Sequence, residues 1–183
     1  DTVAVIRATG LHYADGTRLF IDIGTNGEIV LAHNGELLCT STAAGPAFEG
    51  ARIAAGMRAT DGAIEKVVCE DDDIAFNVIG NTRPSGICGT ALIDLVAEML
   101  RLQVLDSTGR ILPREEVPVP ISEALAARLV PQDDESVSFL LAPADETRTG
   151  DDIFLHQKDV REMQLAAGAI RAGTMILLKQ AGL

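Results

Sequence analysis

Aromatic residues are scarce in this sequence. They make up 3% of it, with no tryptophan and one tyrosine, so a core has to be assembled from Ala, Val, Ile and Leu. Cysteine is also rare: Cys39, Cys69 and Cys88 are the three present, and none sits in a CxxC pair. That count excludes an iron–sulfur cluster, which takes four ligands, and the spacing does not fit a zinc site. Isolated thiols of this kind fit a reducing cytoplasm. Positive charge is short, with 15 Lys and Arg against 27 Asp and Glu and a net charge of -12, which argues against a nucleic-acid backbone or an anionic membrane as the main partner. No apolar run approaches the roughly 18 residues of a membrane span, and no basic start marks a signal peptide. The three histidines, His12, His33 and His156, stand far apart and suggest surface or capping positions rather than a metal set. No Ser/His/Asp arrangement occurs at a recognisable spacing. Asp1 is not an initiator residue, which suggests a fragment or a processed chain.

What is present is hydrophobic: 47% of 183 residues, enough for one sizeable core or for one domain cut from a larger protein. The chain is organised around Leu19 to Thr42. The apolar run Leu19-Phe20-Ile21 reads as a buried strand ending in the carboxylate of Asp22. A loop with Gly24, Thr25, Asn26 and Gly27 follows. Glu28 to Ala32 reads as a second strand, His33-Asn34-Gly35-Glu36 as a turn, and Leu37 to Thr40 as a third strand. Asn34-Gly35 is a strong hairpin signal, because both central positions of such a turn need positive φ. The first loop carries the chemistry. Its two glycines let backbone N–H groups turn towards a common point that suits phosphate oxygens, with φ > 0 expected at one glycine or both. Asp22, at the strand end, is placed to hold a divalent metal through water. The plainer alternative is a Gly-rich turn beside a surface Asp.

Before this stretch, Thr2 to Ala8 is an apolar segment that fits either a strand or a helix end. After it, Ala43-Ala44-Gly45-Pro46 breaks the pattern, and Pro46 suits the first turn of a helix bearing Phe48, Ile53 and Met57. Ala63 to Cys69 and Ile74 to Ile79 read as strands joined by Glu70-Asp71-Asp72-Asp73, a run better explained as a solvated loop than as a cation site. The irregular stretch Gly80 to Gly89 leads into an amphipathic helix over Thr90 to Leu105. Gly86 and Gly89 suit either an anion at that helix start or close packing, with Cys88 a buried thiol. From 106 to 152, prolines punctuate short segments, including a small helix over Ser122 to Leu129 and a strand over Ser136 to Ala142. This part is expected to be an elaboration beside the core, within one domain spanning 1–183. A brief strand over Ile153 to His156 precedes a long helix over Lys158 to Gln180. Gly168 and Gly173 within that helix predict close packing, since each costs about 1 kcal/mol against Ala.

A strand ending in Asp, a Gly/Thr loop, a hairpin and then Gly45-Pro46-Ala47-Phe48-Glu49-Gly50 resembles one half of an actin/sugar kinase/Hsp70-type ATPase. Asp22, Gly24, Thr25 and Gly27 match the family's phosphate loop; Gly45 and Phe48 fit its next motif, though Ala44 stands where glycine is common. A finer resemblance, over nearly the whole length, is to the ATPase region of the reductive activators of corrinoid-dependent methyltransferases. It is carried by ADG…LFIDIGTNGEIVLA, AAGPAFEGA, SGICGTALID and QKDVREMQLAAGAIRAG.

The resemblance implies an α/β fold, a ribonuclease H-like half-domain with a mixed β-sheet flanked by helices. It implies ATP and Mg²⁺ as cofactors: Asp22 as the catalytic residue holding Mg²⁺ through water, and Gly24, Thr25, Asn26, Gly27 and Gly45 binding the nucleotide. Glu28 is a weaker candidate, and Glu49 is expected to be structural. The loop corresponds to the second of two phosphate loops, so the first half would precede Asp1 and an adenosine-contacting loop would follow Leu183. A [2Fe-2S] ferredoxin domain is expected upstream, and a corrinoid protein or methyltransferase is the partner; a homodimer stays open. Two rival functions stand beside this one: an acetate- or sugar-kinase-like phosphotransferase, and a non-catalytic docking or dimerisation module.

Overall fold

The computed structural model describes residues 1–183. In chain order the elements are α1 (Thr2–Thr9), β1 (Arg18–Ile23), β2 (Gly27–His33), β3 (Glu36–Thr42), β4 (Ala63–Glu70), β5 (Asp73–Val78), β6 (Gly86–Ile87), α2 (Gly89–Arg101), α3 (Glu123–Ala127), β7 (Leu129–Pro131), β8 (Val137–Ala142), β9 (Ile153–Leu155) and α4 (Gln157–Gln180). They form two compact units: residues 1–46 with 165–183, and residues 47–164.

The first unit is built on β2. Its Ile29, Val30, Leu31 and Ala32 are all buried, as a central strand covered on both faces requires. β1 and β3 pair with it antiparallel on either side. On one face Val30 and Ala32 pack with Leu11, Ile6 and Phe20, which places α1 and the short 3₁₀ turn after it there. On the other face Ile29 and Leu31 pack with Leu177, Ile170 and Leu178 of α4. The Asn34-Gly35 turn has φ of 50° and 81°, the double left-handed conformation expected of that dipeptide. The ambiguous start is a helix, closed by Gly10 at φ 68°. β1 is not a buried strand: Leu19 and Ile23 are exposed and Phe20, Ile21 and Asp22 half-buried. It lies at the sheet edge, with only one strand neighbour to cover it.

The second unit has two sheets. β4 is central in the order β5-β4-β6, antiparallel to β5 and parallel to β6. Glu70 pairs with Asp73, so the acidic run is a two-residue turn at Asp71 and Asp72, both exposed and left-handed at φ 49° and 59°. α2 buries Ala91, Leu92, Leu95, Val96 and Met99. It stops at Arg101, short of the expected Leu105, because Gln103 turns left-handed at φ 58°. β7, β8 and β9 form an antiparallel sheet around Phe139, which is fully buried. The Arg128 guanidinium clasps this region. It donates to both carboxylate oxygens of Asp73, at 2.6 and 2.9 Å, and to the carbonyls of Ile74, Leu140 and Leu141.

The helix expected from Pro46 to Met57 does not form; residues 46–55 make successive turns. Gly50 and Arg52 sit at φ 80° and 70°, conformations that end an α-helix. A Cβ on Gly50 would lie 2.6 Å from the Met57 nitrogen, and one on Gly56 only 2.1 Å from the Gly50 carbonyl oxygen. The glycines let this segment fold tightly on itself. Gly86 and Gly89 extend the same contact: a Cβ there would meet the Ala55 and Phe48 carbonyl oxygens at 2.6 and 2.0 Å. Close packing, rather than an open helix start, is what these two glycines permit, and Cys88 is buried.

Candidate nucleotide-phosphate site

The loop after β1 is a three-residue connection. Ile23 pairs with Gly27, which leaves Gly24, Thr25 and Asn26 to turn the chain. Thr25 and Asn26 are exposed and Gly24 half-buried, so the loop lies open rather than under other chain. Neither Gly24 nor Gly27 has a positive φ, contrary to the expectation from sequence. A three-residue hairpin can turn without the two-residue type I′ geometry that demands it. Gly27 is needed for another reason. It is buried in β2, where a Cβ would meet the Thr42 hydroxyl at 2.7 Å and Ile170 at 3.2 Å, and the Thr42 hydroxyl donates to the Gly27 carbonyl at 3.3 Å.

The N–H groups of the loop do not all converge outward. The Gly24 N–H turns inward and donates to the Asn26 carbonyl at 3.2 Å. The Thr25 carbonyl accepts from the Gly45 N–H at 2.9 Å. Gly45 is left-handed at φ 79°.

Asp22 stands one residue before the end of β1, directly opposite Glu28, which is in turn opposite Ser41. Opposed residues share a face, so two half-buried carboxylates stand side by side at the loop end of the sheet. Ser41 Oγ donates to Glu28 at 3.5 Å, and no Lys or Arg forms an ion pair with Asp22 or Glu28. Glu28, the weaker candidate from sequence, is thus beside Asp22. Glu49 is exposed in the turn segment.

No set of three or more His, Cys, Asp or Glu side chains gathers as a metal cage. His33 bonds Thr17 and Asn34 at the hairpin, and the His156 ring bonds the Ser138 hydroxyl at 2.7 Å. The His156 N–H donates to Asp159, a fully buried carboxylate in the first turn of α4 that also accepts from the Ala54 N–H. This capping carboxylate carries no signal in the sequence beyond its place three residues after the cap.

The profile of the C-terminal domain of RACo, the ASKHA domain, matches residues 16–183. The chain belongs to this family. ASKHA domains have mixed sheets flanked by helices, as the half-domain of an actin-like ATPase does, and that is the fold here. A solved reductive activator for corrinoid, iron-sulfur protein superposes on the domain with a TM-score of 0.83 and 37% identity, over 97% of this chain and 27% of that one. The corrinoid activation enzyme RamQ of Eubacterium limosum is 38% identical over the whole chain, which spans 30% of that protein. The [Co(II) methylated amine-specific corrinoid protein] reductase of Methanosarcina barkeri is 30% identical, again over the whole chain and 32% of its own length. The ASKHA domain therefore spans about a third of these curated relatives.

Proposed function

We propose that this domain is the phosphate-binding part of a protein that couples ATP hydrolysis to the reductive activation of a corrinoid cofactor on a methyltransferase partner. The observation that carries the reading is the open three-residue loop set beside a carboxylate, Asp22, that has no cationic partner. The relatives support the choice of reaction, since they are named for corrinoid activation and corrinoid-protein reduction.

The residues present fit a nucleotide with Mg²⁺. Two like charges at directly opposed positions repel each other, and a divalent cation near Asp22 and Glu28 would relieve that repulsion. Asp22 would hold it through water, while the Asn26 N–H and side chain would face the phosphates. Bound Mg²⁺ supplies charge neutralisation at the phosphates. The domain's own residues would orient the phosphates. Cys39, Cys69 and Cys88 are free, one exposed, one half-buried and one buried. The electron would then enter through a [2Fe-2S] centre outside this chain. Free thiols fit a reducing cytoplasm, and no helix is long and apolar enough to cross a membrane.

The test uses a protein of the full length of these relatives. Asp22→Asn is expected to lower Mg²⁺-dependent ATP hydrolysis at least about a hundredfold, the scale of losing one charge-stabilising group. Its unfolding free energy should stay within about 0.5 kcal/mol, because a half-exposed carboxylate with no cationic partner contributes little to folding. An unchanged hydrolysis rate removes Asp22 from the site. Hydrolysis coupled to phosphorylation of a small metabolite, with no reduction of cob(II)alamin on a partner, favours a kinase.

A further inference from the structure

We propose that Gly45 is a positioning residue for the phosphate loop, acting through the Thr25–Asn26 peptide and not by touching phosphate. The inference rests on the loop being the phosphate site. A trans peptide is planar, with its C=O and N–H pointing in opposite directions, and the chain has no cis peptide. The Gly45 N–H holds the Thr25 carbonyl at 2.9 Å. The N–H of Asn26, on the other side of that peptide, is thereby turned away from Gly45, and no backbone carbonyl accepts from it. With the Gly24 N–H committed to the Asn26 carbonyl, the Asn26 N–H is a loop donor this geometry presents to an incoming anion.

Glycine at 45 is required by conformation, not by space. Its φ is +79°, yet nothing lies within 4 Å of where a Cβ would be. Gly27 is the reverse case, crowded by Thr42 and Ile170 without a positive φ. A residue that tolerates the left-handed region therefore preserves the loop, and one that does not turns the N–H off the Thr25 carbonyl. Asparagine is such a tolerant residue, and valine is not.

The test follows amide hydrogen exchange and ATP binding in the full-length protein. In the wild type the Gly45 amide is expected to be protected before nucleotide is added and to change by less than about twofold on adding it. The Asn26 amide should exchange freely and slow by about tenfold with ATP, the factor set by gaining one hydrogen bond. Gly45→Asn should keep the ATP Kd within about threefold, whereas Gly45→Val should raise it by about tenfold and abolish the Asn26 protection. Gly45→Ala serves if the valine variant does not fold, with a smaller effect in the same direction. Protection of the Gly45 amide that appears only with ATP overturns the inference, as does a valine or alanine variant that binds ATP like the wild type. A wild-type protein that binds no ATP sinks the phosphate reading itself, a result distinct from either.

Discussion

Arg128 and Asp73 carry the clearest electrostatic contribution in the second unit. The guanidinium holds both Asp73 oxygens and keeps this carboxyl below the ordinary aspartate value of 3.8, with burial opposing and weaker. The same side chain satisfies three carbonyls, so truncating it strands several buried acceptors at once. Arg128→Ala is expected to destabilise the fold by about 2–4 kcal/mol, by equilibrium denaturation. Asp73→Asn should cost about 1–2 kcal/mol near neutral pH, the pair being partly solvated. Because the folded value is depressed, the stabilisation is complete above 3.8 and fades as pH falls through the lower folded value. The wild type and Asp73→Asn should therefore converge in acid. A difference that persists unchanged there means the pair is not the cause.

At the scale of elements, the two glycines of α4 part company. A Cβ at Gly168 would meet nothing within 4 Å, whereas one at Gly173 would lie 2.5 Å from Thr42 and 2.9 Å from Ile29. Of the two positions read from sequence as close contacts, only Gly173 is one. Gly168→Ala should stabilise by up to about 1 kcal/mol through helix propensity. Gly173→Ala should destabilise by about 1–2 kcal/mol, its propensity gain outweighed by overpacking against β2 and β3. Thermal melts of the pair check the opposite signs.

The elements that the sequence made legible were those with a local cause. Asn34-Gly35 forces its turn, the short apolar runs of β4 and β5 on either side of an acidic turn mark strands, and the long apolar stripe marks α4. The segment from Pro46 to Met57 was misread because its shape comes from a contact between residues distant along it, Gly50 against Met57 and Gly56. The positive φ expected at Gly24 or Gly27 is absent from both: Gly27 serves packing, and the left-handed residue beside the loop is Gly45. The pairing of Asp22 with Glu28 follows from counting outward from Thr25 once the loop is known to be three residues long. That length depends on where the ladder closes, which composition does not reveal.

At the scale of the whole molecule, the domain carries one proposed phosphate loop, in its first unit, and it spans about a third of its curated relatives. Phosphoryl transfer depends on positioning and on charge stabilisation by groups arranged around the phosphates. The 183-residue chain alone is expected to bind ATP weakly and to hydrolyse it no faster than a blank, while a protein of the relatives' length hydrolyses it. Robust turnover by the short chain, measured as phosphate release, contradicts the need for a second wall around the nucleotide.

β3 closes the three-stranded sheet on one side, and it carries the exposed Cys39 and Leu37. Its sequence, ELLCTST, has none of the prolines or lysines that blunt sheet edges. Two copies meeting edge to edge in antiparallel register would bring one thiol towards its equivalent. Ageing in air therefore becomes a clock for transient encounters. The chain should accumulate a reducible covalent dimer, seen by non-reducing electrophoresis, at a rate that rises with concentration and disappears in Cys39→Ser. Loss of the dimer with Cys69→Ser instead would trace the encounters to another surface.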